Sequence, residues 1–181
     1  MTKEMLAKRI AEVALLRGEF TLRSGRKSNY YLDKYRFETQ PDVLAALGKL
    51  FAEHVQPGVD RIAGAELGAV PLAAVTAMAS GKPCVFIRNQ KKDYGTAKLV
   101  EGVLNAGETV MIVEDVMTTG GQVLESCKVL TDLGVKIDRI VGVIDRLEGA
   151  RKNIEKAGYA FESLFTTRDL GIEPNKQTNV R

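Results

Sequence analysis

Two adjacent carboxylates followed by two hydroxyls and two glycines stand together in Val110-Met111-Ile112-Val113-Glu114-Asp115-Val116-Met117-Thr118-Thr119-Gly120-Gly121. The apolar, β-branched run reads as a buried strand, and its end delivers Glu114 and Asp115 to the edge where open α/β sheets bind ligands. The turn that follows reads as a monophosphate cradle. Glycines let the backbone approach an anion, the first N–H groups and the dipole of the next helix favour a phosphate, and the hydroxyls of Thr118 and Thr119 donate further bonds. Glu114 and Asp115 then suit the 2- and 3-hydroxyls of a ribose whose 5-phosphate lies in that cradle. Neither the Gly-x-x-x-x-Gly-Lys loop of nucleotide triphosphates nor a Gly-x-Gly-x-x-Gly dinucleotide turn occurs here. The plainer alternative is a capped helix after a strand with two solvated acids.

Two further segments carry charge at strand ends. Arg88-Asn89-Gln90-Lys91-Lys92-Asp93-Tyr94-Gly95-Thr96-Ala97-Lys98 lacks apolar periodicity and is too polar to pack. Such a loop either folds over a polyphosphate, neutralising charge and excluding water, or is solvated surface. Ile144-Asp145-Arg146-Leu147 puts an arginine beyond another strand, where it grips a carboxylate bidentately or forms an ordinary surface ion pair. His54 has no Cys, Asp or Ser partner in a nucleophilic pattern and reads as structural, as do Asp33, Asp60 and Asp138. Cys84 and Cys127, each in an apolar segment, read as two reduced core thiols rather than a disulfide framework or metal cluster.

The elements that must position these groups alternate along the chain. Residues 3–17 have apolar residues at helical spacing, with Thr2 as N-cap and Gly18 as stop. A turn-rich basic segment leads into the strand-like Tyr30-Tyr31-Leu32, and Pro41 opens a helix through Val55. Strands are expected at 61–64, 83–88, 109–114, 137–144 and 160–165, and helices at 70–79, 121–133 and 149–156. This is an α/β doubly wound, mainly parallel sheet with helices on both faces. One domain over 1–172 is expected, with about 1–40 as an N-terminal segment and 173–181 as a disordered polar tail.

The 181 residues, 45% hydrophobic and 27% charged, fit one soluble domain. The longest uncharged stretch, Leu67–Gly81, is too short to span a bilayer and holds Pro71 and Thr76. Lys3, Lys8 and Arg9 interrupt any signal-peptide core, so a cytoplasmic location is expected. Net charge is +3, unevenly spread: residues 1–36 carry nine Lys/Arg against four Asp/Glu, and residues 82–98 five against one. Two local basic segments suit a small anionic ligand better than a nucleic acid, which favours a broad basic face.

Together these segments resemble the orotate phosphoribosyltransferases, within the type I phosphoribosyltransferases. Val110 to Gly121 is similar to the superfamily's motif for 5-phosphoribosyl 1-diphosphate (PRPP). Phe20-Thr21-Leu22-Arg23-Ser24-Gly25-Arg26-Lys27-Ser28, followed by Tyr30-Tyr31, resembles the orotate family's N-terminal motif, and Ile144-Asp145-Arg146 its base-site arginine. The match runs from about Glu12 to Leu170.

The resemblance implies transfer of the 5-phosphoribosyl group from PRPP to orotate, giving orotidine 5-monophosphate and diphosphate in pyrimidine synthesis. It places Lys92 and Asp115 in catalysis and PRPP against Arg23, Arg88, Lys91, Lys92, Glu114 and Asp115. The 5-phosphate falls on the turn made by Val116, Met117, Thr118, Thr119, Gly120, Gly121 and Gln122. Orotate falls on Tyr31, Leu32, Thr118 and Arg146. It further implies magnesium carried on the diphosphate, no metal held by the protein alone, and a homodimer whose basic loops cross into the neighbouring site. Asn89 stands where a second basic residue is usual, Tyr94 where a histidine is, and Glu66-Leu67-Gly68-Ala69 replaces the Tyr-Lys turn of some members. Two rival readings are transfer to a purine or other base, and a non-catalytic regulator that binds nucleotides and RNA.

Overall fold

In this computed structural model, residues 1–21, 27–90 and 98–172 are described. Helix α1, Lys3–Ala14, is capped by Thr2, whose hydroxyl accepts the Met5 N–H, and it buries Leu6, Ala7, Ile10 and Ala14. It ends three residues before Arg17, where the apolar spacing predicted its end. From Leu15 the chain is already extended, since strand β1, Leu15–Thr21, pairs antiparallel with β2, Lys27–Leu32, setting Leu15 opposite Leu32 and Leu16 opposite Tyr31. That pairing is non-local and outweighs the helical spacing of Leu15 and Leu16.

A short helix α2, Lys34–Glu38, precedes α3, Pro41–Glu53, which has Pro41 in its first turn. The remaining elements are β3 (Arg61–Ala65), α4 (Ala69–Ser80), β4 (Cys84–Ile87), β5 (Val100–Glu101) and β6 (Thr109–Met117). They are followed by α5 (Gly121–Asp132), β7 (Lys136–Asp145), α6 (Ala150–Lys156), β8 (Phe161–Thr166) and a 3-10 turn over Thr167–Leu170. The main sheet has the order β5-β4-β3-β6-β7-β8, parallel except for the antiparallel edge pair β4–β5. It is the doubly wound, mainly parallel sheet expected from the alternating pattern.

Both faces of the sheet are covered. Val110, Met111, Ile112 and Val113 are all fully buried, as a parallel strand between helix layers requires. Helices α1 to α4 pack on one face through Ile10, Phe37, Leu47, Phe51 and Leu72, against Met111, Val113, Val141 and Val143. Helices α5 and α6 pack on the other through Val123, Cys127, Leu130 and Ile154, against Val110, Ile112 and Ile140. Gly64 lets α4 close onto β3: a Cβ there would stand 2.4 Å from the Ala69 carbonyl oxygen.

Candidate active site

The order of the sheet fixes where a ligand can enter. β3 lies between β4 and β6, so the chain winds outward in opposite directions from the β3/β6 boundary. The helices leaving these two strands diverge there, opening a crevice at their C-terminal ends. The turn Glu66–Gly68 and the segment Asp115–Gly121 face each other across it. The Glu66–Leu67 peptide bond is cis.

β6 runs three residues past Glu114, the end that the apolar run predicted, so both carboxylates lie within the strand and are buried, Asp115 at 2% exposure and Glu114 at 7%. Asp115 Oδ2 lies 2.5 Å from Lys34 Nζ, and its Oδ1 accepts the N–H of Val116. Glu38, one turn beyond Lys34 on α2, is also buried, and no N–H or hydroxyl among the described residues donates to either of its carboxyl oxygens. Burial first, and the Asp115 charge second, push the carboxyls of both Glu38 and Glu114 well above the usual range. The field of Lys34 acts against that rise at both.

The turn into α5 follows directly. Thr118, Thr119, Gly121 and Gln122 are exposed. Gly120 takes the left-handed conformation (φ 81°) as N-cap of α5, with no side chain capping the helix and no acid in its first turn. The first N–H groups of a helix have no intrahelical acceptor, so this end is left for an external anion. The loop is held from behind: the Thr118 carbonyl accepts from Ala150 N–H at 3.1 Å and the Thr119 carbonyl from Asn153 Nδ2 at 2.9 Å.

At the neighbouring strand end, Arg146 Nη2 donates to Tyr30 Oη at 3.4 Å and pairs with Glu148 at 2.9 Å, and the guanidinium lies 5.9 Å from the Tyr30 ring centre. Its Nε is buried without a hydrogen-bond partner among the described residues, an exception to the rule that buried donors are paired.

These features, an uncapped helix N-terminus, two buried acids and an arginine under a tyrosine, lie on one sheet edge, and comparison with known proteins gives the family. Residues 35–163 match the family model described as "Phosphoribosyl transferase domain". The orotate phosphoribosyltransferase of Methanocella arvoryzae is 46% identical over 158 residues, 87% of this chain and 90% of that protein. The chain belongs to the orotate phosphoribosyltransferase family. The Methanocaldococcus jannaschii orotate phosphoribosyltransferase is 41% identical over 93% of this chain and 96% of its own length. The crystal structure of the Mycobacterium tuberculosis orotate phosphoribosyltransferase in complex with PRPP superposes with a TM-score of 0.80 at 31% identity, covering 94% of this chain and 99% of that one.

Against this family frame, the structure gathers Glu114, Asp115, Val116, Met117 and the Thr118–Gln122 turn along one strand end. Arg88 lies at the end of β4, on the opposite side of the crevice, where its guanidinium faces Glu66 and Glu101, each at 3.9 Å. Asn89 is tied to the same turn, its N–H donating to Glu66 Oε1 at 2.7 Å. Tyr31 and Leu32 fall on opposite sides of β2: Leu32 is buried, whereas Tyr31 is 45% exposed and packs against Phe20 at 5.7 Å between ring centres. Arg23, Lys91, Lys92 and the tail 173–181 lie outside the described residues.

Two residues at the site were not singled out from the sequence. Tyr30, the inward-facing neighbour of Tyr31, is the tyrosine that meets Arg146; the period-2 alternation of β2 carried that information. Lys34 had only a weak local signal, an i,i+4 pair with Glu38 that reads equally well as a surface ion pair.

Proposed function

We propose that the chain transfers the 5-phosphoribosyl group of PRPP to orotate, releasing diphosphate and forming orotidine 5-monophosphate, in pyrimidine synthesis. The observation that carries this is Arg146: a half-buried guanidinium with an unpartnered Nε, under a tyrosine hood at the same sheet edge as the phosphate cradle. A guanidinium so placed selects a base that bears a carboxylate, and orotate does.

The residues divide the work by charge. The Thr118–Gln122 turn takes the 5-phosphate on backbone N–H groups and hydroxyls, and Asp115 and Glu114 meet the ribose hydroxyls. Breaking the bond between C1 and the diphosphate oxygen builds positive charge on the ribose ring and negative charge on the leaving group. Arg23, Arg88, Lys91 and Lys92 supply positive charge on the diphosphate side, with Lys92 acting on the leaving group. Tyr31 and Leu32, whose side chains lie on opposite faces of β2, share the base site through the strand's backbone. Orotate is already an anion and its ring nitrogen needs no strong base, in keeping with His54 being occupied elsewhere, 2.7 Å from Glu162.

The Asp115 carboxylate at the crevice edge is the hard oxygen donor that suits magnesium, and in this reading the ion arrives on the diphosphate oxygens. When bound, magnesium neutralises the charge of the departing diphosphate. The working unit in this reading is a cytoplasmic homodimer built from one domain per chain (1–172), with the 1–40 segment over the base and the basic loop of each chain reaching its neighbour's site. Its partners are two small molecules rather than a nucleic acid or a membrane; among the described residues no helix is long and apolar enough to cross one.

Incubation with PRPP, magnesium and orotate should lower the orotate absorbance in step with release of diphosphate. Diphosphate release that does not depend on orotate would contradict the reading.

A further inference from the structure

Lys34 is the first residue of α2, and its side chain turns back to the end of β6, joining segments 81 residues apart. Asp115 is engaged at both oxygens, by Lys34 Nζ and by the N–H of Val116. Its partner is the more accessible of the pair: the Lys34 side chain is 33% exposed, that of Asp115 3%. Burial opposes the ammonium, but the charges of Asp115 and Glu38 outweigh it and hold the Lys34 pKa above the ordinary lysine value. One ammonium therefore faces three acids, Asp115 directly and Glu38 and Glu114 through the field they share.

The turn between β3 and α4 completes the arrangement. A Cβ on Gly68 would stand 1.8 Å from Asp115 Oδ2 and 3.0 Å from Lys34 Nζ, so the Asp115 carboxylate fills the space where a side chain at position 68 would begin, with the ammonium next to it. The phosphate cradle is on the other side of β6, braced by α6 beyond β7. A ribose with its 5-phosphate in that cradle and its hydroxyls on Asp115 runs across β6 toward β3. Its C1 substituent then emerges at the Gly68 turn, beside Lys34.

We propose that Lys34 is a substrate-contacting residue, whose ammonium holds Asp115 in the free protein and passes to the diphosphate of the ribosyl donor when the ribose hydroxyls take over Asp115. The exchange keeps every charge paired: the hydroxyls donate to the carboxylate that the ammonium leaves, and the ammonium meets an incoming anion. This rests on the phosphoribosyl-transfer reading and adds to it a cation from α2, on the side of the crevice where Gly68 contributes no side chain.

Calorimetric binding of ribose 5-phosphate, and then of magnesium diphosphate with ribose 5-phosphate already bound, to the parent, Lys34→Gln and Lys34→Arg tests the proposal. Lys34→Gln removes the charge and leaves a polar amide one bond shorter beside Asp115. It should weaken magnesium diphosphate binding roughly ten- to a hundredfold, the range for a charge-assisted hydrogen bond, while ribose 5-phosphate binds as tightly as before or tighter; Lys34→Arg should recover most of the loss. Equal loss of both ligands would make Lys34 a structural tether only and overturn the proposal, as would no loss of diphosphate binding. The parent offers a reading that needs no variant: with ribose 5-phosphate bound, so that its hydroxyls occupy Asp115, the 15N signal of Lys34 Nζ should move when magnesium diphosphate is added, and a signal that stays put overturns the proposal. A parent that binds neither ligand overturns the phosphoribosyl-transfer reading itself.

Discussion

The hydroxyl of Tyr30 accepts a hydrogen bond from Arg146 Nη2 at 3.4 Å, joining the N-terminal hairpin to the end of β7 across 116 residues of chain. Arg146 Nε is buried beside this contact without a hydrogen-bond partner among the described residues.

Arg146→Ala should therefore raise the KM for orotate by about tenfold or more, the loss expected for a charge-assisted pair, and leave the KM for PRPP nearly unchanged. Tyr30→Phe keeps the ring over the guanidinium and should cost only a few-fold, consistent with one long hydrogen bond. Steady-state kinetics with each substrate varied in turn separates the two effects. An Arg146→Ala variant with parental orotate KM would remove this residue from the base site.

Gly68→Ala tests the crowding at the β3 turn. The added Cβ has no room beside Asp115 Oδ2, so the carboxylate must rotate off the ribose position or the turn must shift. Misplacement of a positioning group by an ångström typically costs about 10²-fold in rate, and kcat/KM for PRPP should fall on that order. A thermal melt close to the parent's would assign the loss to the site rather than to the fold.

The alternation of strands and helices could be read from the sequence because each buried strand and amphipathic helix carries its own local pattern. Val110–Val113 and Ile140–Ile144 announced two central strands in this way. Asp60 and Asp138 read as structural, and the structure agrees: Asp60 Oδ2 accepts the Thr109 N–H at 2.8 Å and Asp138 pairs with Arg139 at the same distance. What stayed hidden was short or distant. β5 has two residues and α2 five, too few for any period to show. Lys34 and Tyr30 gain their meaning from Asp115 and Arg146, contacts that tertiary packing makes and no local spacing encodes.

Glu38 and Glu114 give the free protein an unusual pH response. Both carboxyls are raised to about 8 from an ordinary value of 4.5. Between those values the folded state binds more protons than the unfolded one, so stability rises as pH falls through about 8 and the gain is complete near the ordinary value. Melting temperature without ligands should thus be higher at pH 6 than at pH 9. Glu108, held near 2 chiefly by its hydrogen bonds from Arg61, and the lowered Asp42 and Asp169 change protonation only at more acidic pH and do not offset this trend. Glu38→Gln mimics the protonated acid and should raise the melting temperature at pH 9 by at least about 2–4 °C, the equivalent of about 1 kcal/mol at this chain length. It should also flatten the slope between the two pH values. A slope of opposite sign, or one untouched by Glu38→Gln, would mean that these acids are not held neutral.

The central claim is that Arg146 and the phosphate cradle together select orotate as the acceptor of a phosphoribosyl group. It is tested most directly by offering PRPP and magnesium with an equimolar mixture of orotate, uracil, hypoxanthine and adenine, and identifying the nucleotides formed by mass spectrometry. Orotidine 5-monophosphate should be the nucleotide product, with uracil left behind for want of a carboxylate. Formation of uridine, inosine or adenosine monophosphate at a comparable rate would contradict the account.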